Sequence, residues 1–313
     1  MRKITCKKLE SITFEKGFDE FILFCKENNY RKDSIEHYKN SYRQIEKFLP
    51  YYTPIENITS KTYKDYCLYL FDKNQYKQQT VNTYLKGFKR IINFFIEKEY
   101  IKKFTMSLPK VDQKAVQTYS DEELKKLLRK PKKDCIFTEF RDWVIINFLL
   151  STGVRLSSLA NIKIKDVDFD TSTVNISHTK NRKALIIPLN DTIISILKEY
   201  IYQRGDDPDE ILFCTIWGKP LSRNSLGAAI RHYNYVRGVS TTGIHRFRHT
   251  FAKKWIINGN SVVALQKMLG HSSLDMTQKY INLLTNDLKK EVNDYNILKE
   301  FSSNYIKMKN SKK

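Results

Sequence analysis

Apolar residues recur at helical spacing through the first hundred residues, in four stretches separated by polar or proline-containing breaks. Each stretch would place its apolar side chains along one stripe, which must be buried against another element. The pattern therefore predicts a compact bundle of four amphipathic helices. The four stripes consist of Phe14, Phe18, Phe21, Ile22 and Cys25; Ile35, Tyr38, Tyr42, Ile45 and Leu49; Tyr63, Tyr66, Cys67 and Leu70; and Val81, Tyr84, Leu85, Phe88, Ile91, Ile92 and Phe95.

A second domain is predicted to begin after a lysine- and proline-containing stretch that interrupts this periodicity. Ser120 is followed three residues later by Glu123, which is the pattern of a capping box at a helix N-terminus. These signals predict a helical first domain at 1–108, a linker at 109–117, a second domain at 118–285 and a tail at 286–313.

The second domain also contains the best β-hairpin signal of the chain. Apolar and polar residues alternate in Val174–Ile176 and again from Leu185 to Leu189, with the basic turn 178–183 between them. The fold class predicted is mainly α, with two domains and a small antiparallel sheet in the second. The acidic stretch Asp166–Asp170 is interpreted as a polar loop, since it lacks the glycine and the final acid of a calcium-binding loop.

The charge of the chain favours a polyanionic partner. It has 55 Lys+Arg against 34 Asp+Glu, a formal net charge of +21. No apolar run approaches a membrane span and no signal peptide is recognisable, so DNA or RNA in the cytoplasm, at the nucleoid, is preferred to a membrane surface. The five scattered cysteines show no zinc-finger spacing and are typical of reduced thiols.

Five residues in the C-terminal half form a set that suits phosphodiester chemistry. They are Arg155, His245, Arg248, His271 and Tyr280, in this order. Arginine guanidinium groups match phosphate oxygens with two parallel donors. A tyrosine oxygen can form a covalent bond with phosphorus. Each residue alone has an ordinary structural explanation, so the prediction depends on their joint occurrence.

A zinc site at His245 and His249, one helical turn apart, is the competing interpretation. It would need a third ligand, and the adjacent Arg246 and Arg248 would repel a dication. The chain also lacks the paired acidic site of a two-metal nuclease. We therefore predict that no metal or other cofactor is used.

At these residues the chain resembles the tyrosine recombinase (phage integrase) family. The family pattern T-G-x-R-x-S-E-L is matched by Thr152-Gly-Val-Arg155-Leu-Ser-Ser158-Leu, in which serine replaces the common glutamate. The pattern H-x-x-R-H is matched by His245-Arg-Phe-Arg248-His, and L-G-H-S-S…T-x-x-Y by the segment from Leu269 to Tyr280. The likeness extends over about residues 14–284.

The resemblance also implies a catalytic lysine in the turn of the hairpin. In the family it lies eight residues before a strand proline, and counting back from Pro188 gives Lys180. Lys183 is the alternative, because the glycines that usually flank the lysine are absent from this turn.

The family resemblance implies a recombinase whose two domains enclose double-stranded DNA at a recombination site. Arg155, Arg248 and His271 would hold the scissile phosphate, Tyr280 would attack it, Lys180 would protonate the leaving oxygen and His245 would assist proton handling. Four protomers would assemble on two sites and exchange strands through a Holliday junction. The chain begins almost at the first domain, as in Xer-type and small mobile-element integrases without an arm-binding domain.

Three questions remain open at this point. A type IB topoisomerase-like nicking-closing enzyme and a non-catalytic sequence-specific DNA-binding protein are alternatives to a recombinase. Integration of a mobile element and resolution of dimers are not distinguished. The apolar residues of the tail predict a helix that docks on the same or a neighbouring protomer (Leu288, Val292, Tyr295 and Leu298).

Overall fold

The computed structural model describes residues 11–72, 76–112, 116–177, 183–240 and 243–281. These residues form two compact units, the N-terminal unit (11–112) and the C-terminal unit (116–281). Within these ranges, none of the helices combines the length and the apolar character needed to cross a bilayer.

The N-terminal unit is a helical bundle with an aromatic core. Its helices are α1 Phe14–Glu27, α2 Lys32–Ile45, α3 Ser60–Asp72 and α4 Gln78–Glu97. Phe18 and Tyr42 stack with their ring centroids 4.1 Å apart, and Phe14 stacks on the same tyrosine at 5.2 Å. The four predicted helices are confirmed, with one correction: α2 ends at Ile45, and Leu49 is buried from the turn that follows.

The C-terminal unit packs its helices around α6. The helices are α5 Asp121–Leu128, α6 Phe137–Thr152, α7 Leu156–Leu159, α8 Asp191–Arg204, α9 Arg223–Val236, α10 Ile244–Ile257, α11 Val262–Leu269 and α12 Asp275–Ile281. The predicted capping box is present, with Ser120 and Glu123 each bonding the backbone of the other. Most of helix α6 is buried, including its Arg141–Asp142 ion pair, because α5, α8, α9 and α10 all pack against it.

A three-stranded antiparallel sheet lies in the same unit. Its strands are β1 Val167–Asp168, β2 Thr173–Ile176 and β3 Leu185–Pro188, in spatial order β1-β2-β3. The predicted hairpin of β2 and β3 is confirmed, and Val174 pairs with Ile187. The interpretation of Asp166–Asp170 as a loop is wrong at β1, because Val167 is buried and pairs with Val174. A strand of two residues is too short to show alternation.

Candidate active site

Four elements of the C-terminal unit bring most of the predicted site residues together. Arg155 directly precedes α7, Arg248 lies on α10, His271 follows α11 and Tyr280 lies on α12. Helix α10 contacts α6, α11 and α12, so it is the element around which the site is built.

Gly153 allows the end of α6 to approach α10 closely. It caps α6 in the left-handed conformation, with φ of 63°, and its N–H donates to the Leu149 carbonyl. A Cβ atom at this position would lie 2.5 Å from Cδ1 of Phe251 and 2.8 Å from Cδ2 of Leu269. Only glycine fits this backbone and this space. The carbonyl of Gly153 can therefore reach the side chain of Arg248.

The guanidinium of Arg248 is fixed by three hydrogen-bonding partners. Nη1 donates to the Gly153 carbonyl at 2.8 Å, and Nη2 donates to the Leu269 carbonyl at 2.8 Å and to Nε2 of His271 at 2.8 Å. The residue is only 5% exposed. Burial, together with the charge of Arg155, lowers the pKa of Arg248 to about 10. It is still a cation at neutral pH.

Arg155 is the second cation of the site. Its Nη1 donates to the Leu269 carbonyl at 3.3 Å, so both guanidinium groups share one backbone acceptor. Burial lowers the pKa of Arg155, and Tyr280 acts in the opposite direction. Two cations that share a partly buried space repel each other until an anion lies between them. The two guanidinium groups are therefore suited to bind a phosphate group between them.

His271 is oriented by the end of α11 and by α12. Gly270 ends α11 with φ of 59°, and the N–H of His271 donates to the Gln266 carbonyl at 3.1 Å. Nδ1 of His271 lies 2.8 Å from Oγ1 of the buried Thr277. A guanidinium can only donate, so Nε2 of His271 accepts from Arg248, and the neutral ring carries its proton on Nδ1.

Tyr280 is 4% exposed, and its hydroxyl lies 2.9 Å from Nδ1 of His249. Burial raises the pKa of Tyr280, while Arg248 and Arg155 lower it. Its ring is parallel to that of His271, with an interplanar angle of 4° and a centroid distance of 6.4 Å. The phenol is thus protonated at neutral pH but lies beside the charges that would stabilise a phenolate.

His249 is a site residue whose contact with Tyr280 the sequence analysis missed. The sequence places His249 at the end of the family pattern H-x-x-R-H and, one helical turn from His245, in the competing zinc interpretation, but it predicts no catalytic role for this residue. The two rings are 6.5 Å apart, and no group of three metal-binding side chains occurs in the part of the chain that the structure describes. The available signal was its position next to Arg248. That signal could not show that α12 packs on α10 at this point.

His245 lies one turn before His249 on α10. Partial burial, followed by the charges of Arg248, Arg155 and Arg223, lowers the pKa of His245. The imidazole is therefore neutral at neutral pH and able to accept a proton. His245 thus lies close enough to Arg248 and Arg155 to feel their charges. Its role in proton handling stays a prediction.

The predicted Lys180 lies outside the described residues. The alternative, Lys183, is described and lines a cleft of about 580 Å³ together with Arg155, Arg248 and His271. Ser158, which replaces the glutamate of the family pattern, lines the same cleft. The cleft therefore holds a lysine near the two arginines, and the choice between Lys180 and Lys183 stays open.

Comparison with known proteins identifies the family. The model of the phage integrase family matches residues 117–287, and that of the phage integrase SAM-like domain matches residues 13–121. The tyrosine recombinase XerA of Pyrococcus furiosus is 29% identical over 265 residues, which are 83% of this chain and 89% of that protein.

Two solved structures show the same fold. The Tn1549 transposon integrase in complex with circular intermediate DNA aligns with a TM-score of 0.70 and 22% identity, over 86% of this chain and 95% of that one. A lambda integrase tetramer bound to a Holliday junction aligns with a TM-score of 0.66 and 17% identity, over 87% and 78% of the two chains. The chain belongs to the phage integrase family, the tyrosine recombinases that cleave and rejoin DNA strands.

Proposed function

We propose that this protein is a site-specific DNA recombinase that works through a 3′-phosphotyrosyl intermediate. The observation that carries the proposal is the position of the Tyr280 hydroxyl, buried beside the paired cations Arg155 and Arg248. A phenol in such a place can attack a phosphodiester whose charge the two arginines neutralise.

The cleavage step assigns one task to each side chain. Arg155 and Arg248 donate to the non-bridging oxygens of the scissile phosphate and stabilise the charge that develops on them, and His271 joins them when its Nε2 carries a proton and is released from Arg248. The Tyr280 oxygen forms a bond to phosphorus as the bond to the 5′-oxygen breaks. The lysine of the hairpin turn, Lys180 or Lys183, protonates that leaving oxygen, and His245 assists proton handling.

Rejoining is the reverse of this step on a different 5′-end. The energy of the phosphodiester is kept in the phosphotyrosyl bond, so ATP is not required. The two guanidinium groups provide positive charge of the kind that metal ions supply in other phosphoryl-transfer enzymes. We therefore propose that the reaction needs no cofactor.

Both units are proposed to bind DNA, with the boundaries 1–108, 109–117 and 118–285 for DNA-binding domain, linker and catalytic domain. Helices α2 and α4 and the turn after α2 carry basic residues outside the buried stripes of the bundle (Lys39 and Arg43 on α2, Lys47 in the turn and Lys86 on α4). With a net charge of +21, binding should weaken steeply as salt rises, because cationic side chains displace counterions from the phosphate backbone. Protein–DNA complexes of this kind lose affinity strongly between about 50 and 200 mM salt. An affinity that stays constant over this range would contradict this interface.

A tetramer on two sites with a Holliday junction intermediate is the proposed assembly, supported by the likeness to the lambda integrase tetramer. The proposed role of the tail 286–313, docking on a neighbouring protomer, concerns residues outside the described ranges. DNA as the substrate also supports a place of action in the cytoplasm. The same reaction would serve either integration of an element or resolution of dimers.

The test begins with DNA that the purified protein selects from a random duplex library. The selected duplex is rebuilt with a nick next to the scissile phosphate, so that the freed fragment diffuses away and the covalent complex accumulates. We expect a protein–DNA band that survives denaturation, and recombinant products from two intact sites. Relaxation of supercoiled DNA without recombinants would indicate the topoisomerase alternative. Tight binding without any covalent band would indicate a binding protein.

The same duplex can decide between the two lysines. Replacing the bridging 5′-oxygen by sulfur creates a leaving group that needs no proton. The general acid is the lysine whose change to alanine slows cleavage of the oxygen substrate by about 100-fold or more but leaves cleavage of the sulfur substrate nearly unchanged. A lysine that only binds DNA would slow both substrates equally.

A further inference from the structure

We infer that His249 is the residue that takes the proton from the Tyr280 hydroxyl during cleavage. This inference rests on the proposed function. Nδ1 of His249 lies 2.9 Å from the phenolic oxygen, within the range of a direct proton transfer. The two residues are on different helices, α10 and α12, so the contact is made by tertiary packing and not by neighbouring positions in one helix.

The surroundings of Tyr280 create the need for such an acceptor. The residue is 4% exposed, so bulk water has little access to the hydroxyl. Burial also raises its pKa, which keeps the proton on the oxygen at neutral pH. A protonated phenol is a poor nucleophile, and a positioned base that removes the proton in the transition state corrects this.

The other groups that face Tyr280 are poorly suited to accept a proton. Arg155 and Arg248 are cations, and a guanidinium has no acceptor. Both nitrogens of His271 are engaged, Nε2 with Arg248 and Nδ1 with Thr277. His245 lies one turn away on α10, with its ring 6.5 Å from that of His249. Two described groups have a recorded hydrogen bond with the phenol oxygen: the guanidinium of Arg248, which can only donate, and Nδ1 of His249, which can accept a proton.

During cleavage, one proton moves to His249 and another leaves with the 5′-oxygen. The Tyr280 oxygen bonds to phosphorus, its proton moves to Nδ1 of His249, and the 5′-oxygen leaves with a proton from the lysine of the hairpin turn. His249 then carries a proton on both ring nitrogens. In rejoining, the attacking 5′-hydroxyl loses its proton to the lysine, and His249 returns its proton to the departing phenol. The histidine is therefore restored after each cycle.

The experiment measures single-turnover formation of the covalent complex on the nicked duplex. His249→Ala removes the base, while His249→Asn keeps an oxygen near the position of Nδ1 that can accept a hydrogen bond but not a proton. We expect both variants to cleave about 100-fold more slowly than the natural protein, with unchanged DNA affinity. His232→Ala, an exposed histidine of the same unit, should leave the rate unchanged. Full activity of His249→Asn would reduce His249 to a positioning residue and overturn the inference.

A second measurement separates proton transfer from structural damage. Incorporation of a difluorotyrosine at position 280 makes the phenol more acidic and lessens its dependence on a base. The deficit of His249→Asn should then shrink to about tenfold or less, because base catalysis contributes less when the proton leaves readily. An unchanged deficit would overturn the inference. If the natural protein forms no covalent complex, the proposed function itself fails; if it does and His249→Asn matches it, only this inference fails.

Discussion

Two tyrosines that are almost fully buried differ in what surrounds their hydroxyl groups. Tyr66 in the N-terminal unit is 0% exposed and packs against Phe88 and Phe48, with ring centroids at 5.2 and 5.5 Å. Among the described residues, none accepts or donates a hydrogen bond at its hydroxyl. Tyr280 in the C-terminal unit is equally enclosed, yet its hydroxyl contacts His249. Burial raises the pKa of both phenols, but only that of Tyr280 is opposed by neighbouring arginines.

The comparison shows that burial alone does not make a reactive tyrosine. In the N-terminal unit the aromatic rings fill a core, and the stability of that unit comes from apolar area removed from water. In the C-terminal unit, buried charges are held by backbone carbonyls, so their positions are set before substrate arrives. A fixed cation does not need to reorganise when charge develops on the phosphate.

The largest expected effect separates the two tyrosines completely. Tyr280→Phe removes the attacking oxygen and should abolish the covalent complex on the nicked duplex while DNA affinity is retained. Tyr66→Phe, the same chemical change in the other unit, should cleave at the natural rate. Denaturing gels of both variants, beside a filter-binding titration, provide the measurement. A covalent band from Tyr280→Phe would show that another residue is the nucleophile.

The next effect concerns the two arginines. Arg248→Lys replaces the planar guanidinium by a single ammonium group. The ammonium cannot reach Gly153, Leu269 and His271 at once, as the guanidinium does. We expect cleavage to fall by about 100- to 1,000-fold and the unfolding temperature to drop. Arg155→Lys should also slow cleavage, but with a smaller drop in unfolding temperature, since Arg155 has one recorded carbonyl contact, at 3.3 Å. Equal thermal losses in the two variants would contradict the structural role assigned to Arg248.

Gly153→Ala tests the close approach of α6 and α10. The change places a methyl group against Phe251 and Leu269 on a backbone with φ of 63°. We expect a loss of at least about 2 kcal/mol in the free energy of unfolding, from backbone strain and overpacking together. Gly259→Ala is the matched control, because φ is 72° there but no atom lies within 4 Å of the added Cβ. That variant should lose only about 1 kcal/mol, as measured by urea unfolding.

The sequence predicted the elements whose signals are local. Four apolar stripes predicted α1 to α4, and alternation around a basic turn predicted the pairing of β2 with β3. Motif spacing also selected Arg155, Arg248, His271 and Tyr280, which the structure brings together. Their catalytic roles stay predictions.

Features that depend on tertiary packing were not predictable. β1 has only two residues, and its pairing with β2 leaves no periodic signal. The contact between His249 and Tyr280 depends on where α12 packs on α10, which spacing along the chain does not determine. The position of Lys180 lies outside the described residues. Ser158 stands where the family pattern has a glutamate. The effect of this difference on Arg155 depends on the neighbouring side chains in the folded protein, which the motif does not specify.

The smallest effect is the one expected from Tyr66→Phe on stability. The hydroxyl loses its hydration on folding and, among the described residues, gains no hydrogen bond. Removing it should therefore raise the free energy of unfolding by about 1 kcal/mol. Tyr280→Phe should instead lower it by a similar amount, because the hydroxyl has a partner. Urea unfolding at neutral pH measures both, and a loss of stability in Tyr66→Phe would show that its hydroxyl is satisfied.

The stability of the protein at alkaline pH gives a second test of the surroundings of the Tyr66 hydroxyl. Burial raises the pKa of Tyr66 in the folded protein, and that of its neighbour Tyr63 to about 12. In the unfolded chain a tyrosine ionises near pH 10. The folded state thus binds these protons more tightly, so the stability is fully present below about pH 10 and is lost as the pH rises further. Tyr66→Phe removes one such group and should make the fall in stability between about pH 10 and 12 less steep. An unchanged slope would mean that the Tyr66 hydroxyl ionises as readily in the folded protein as in the unfolded chain.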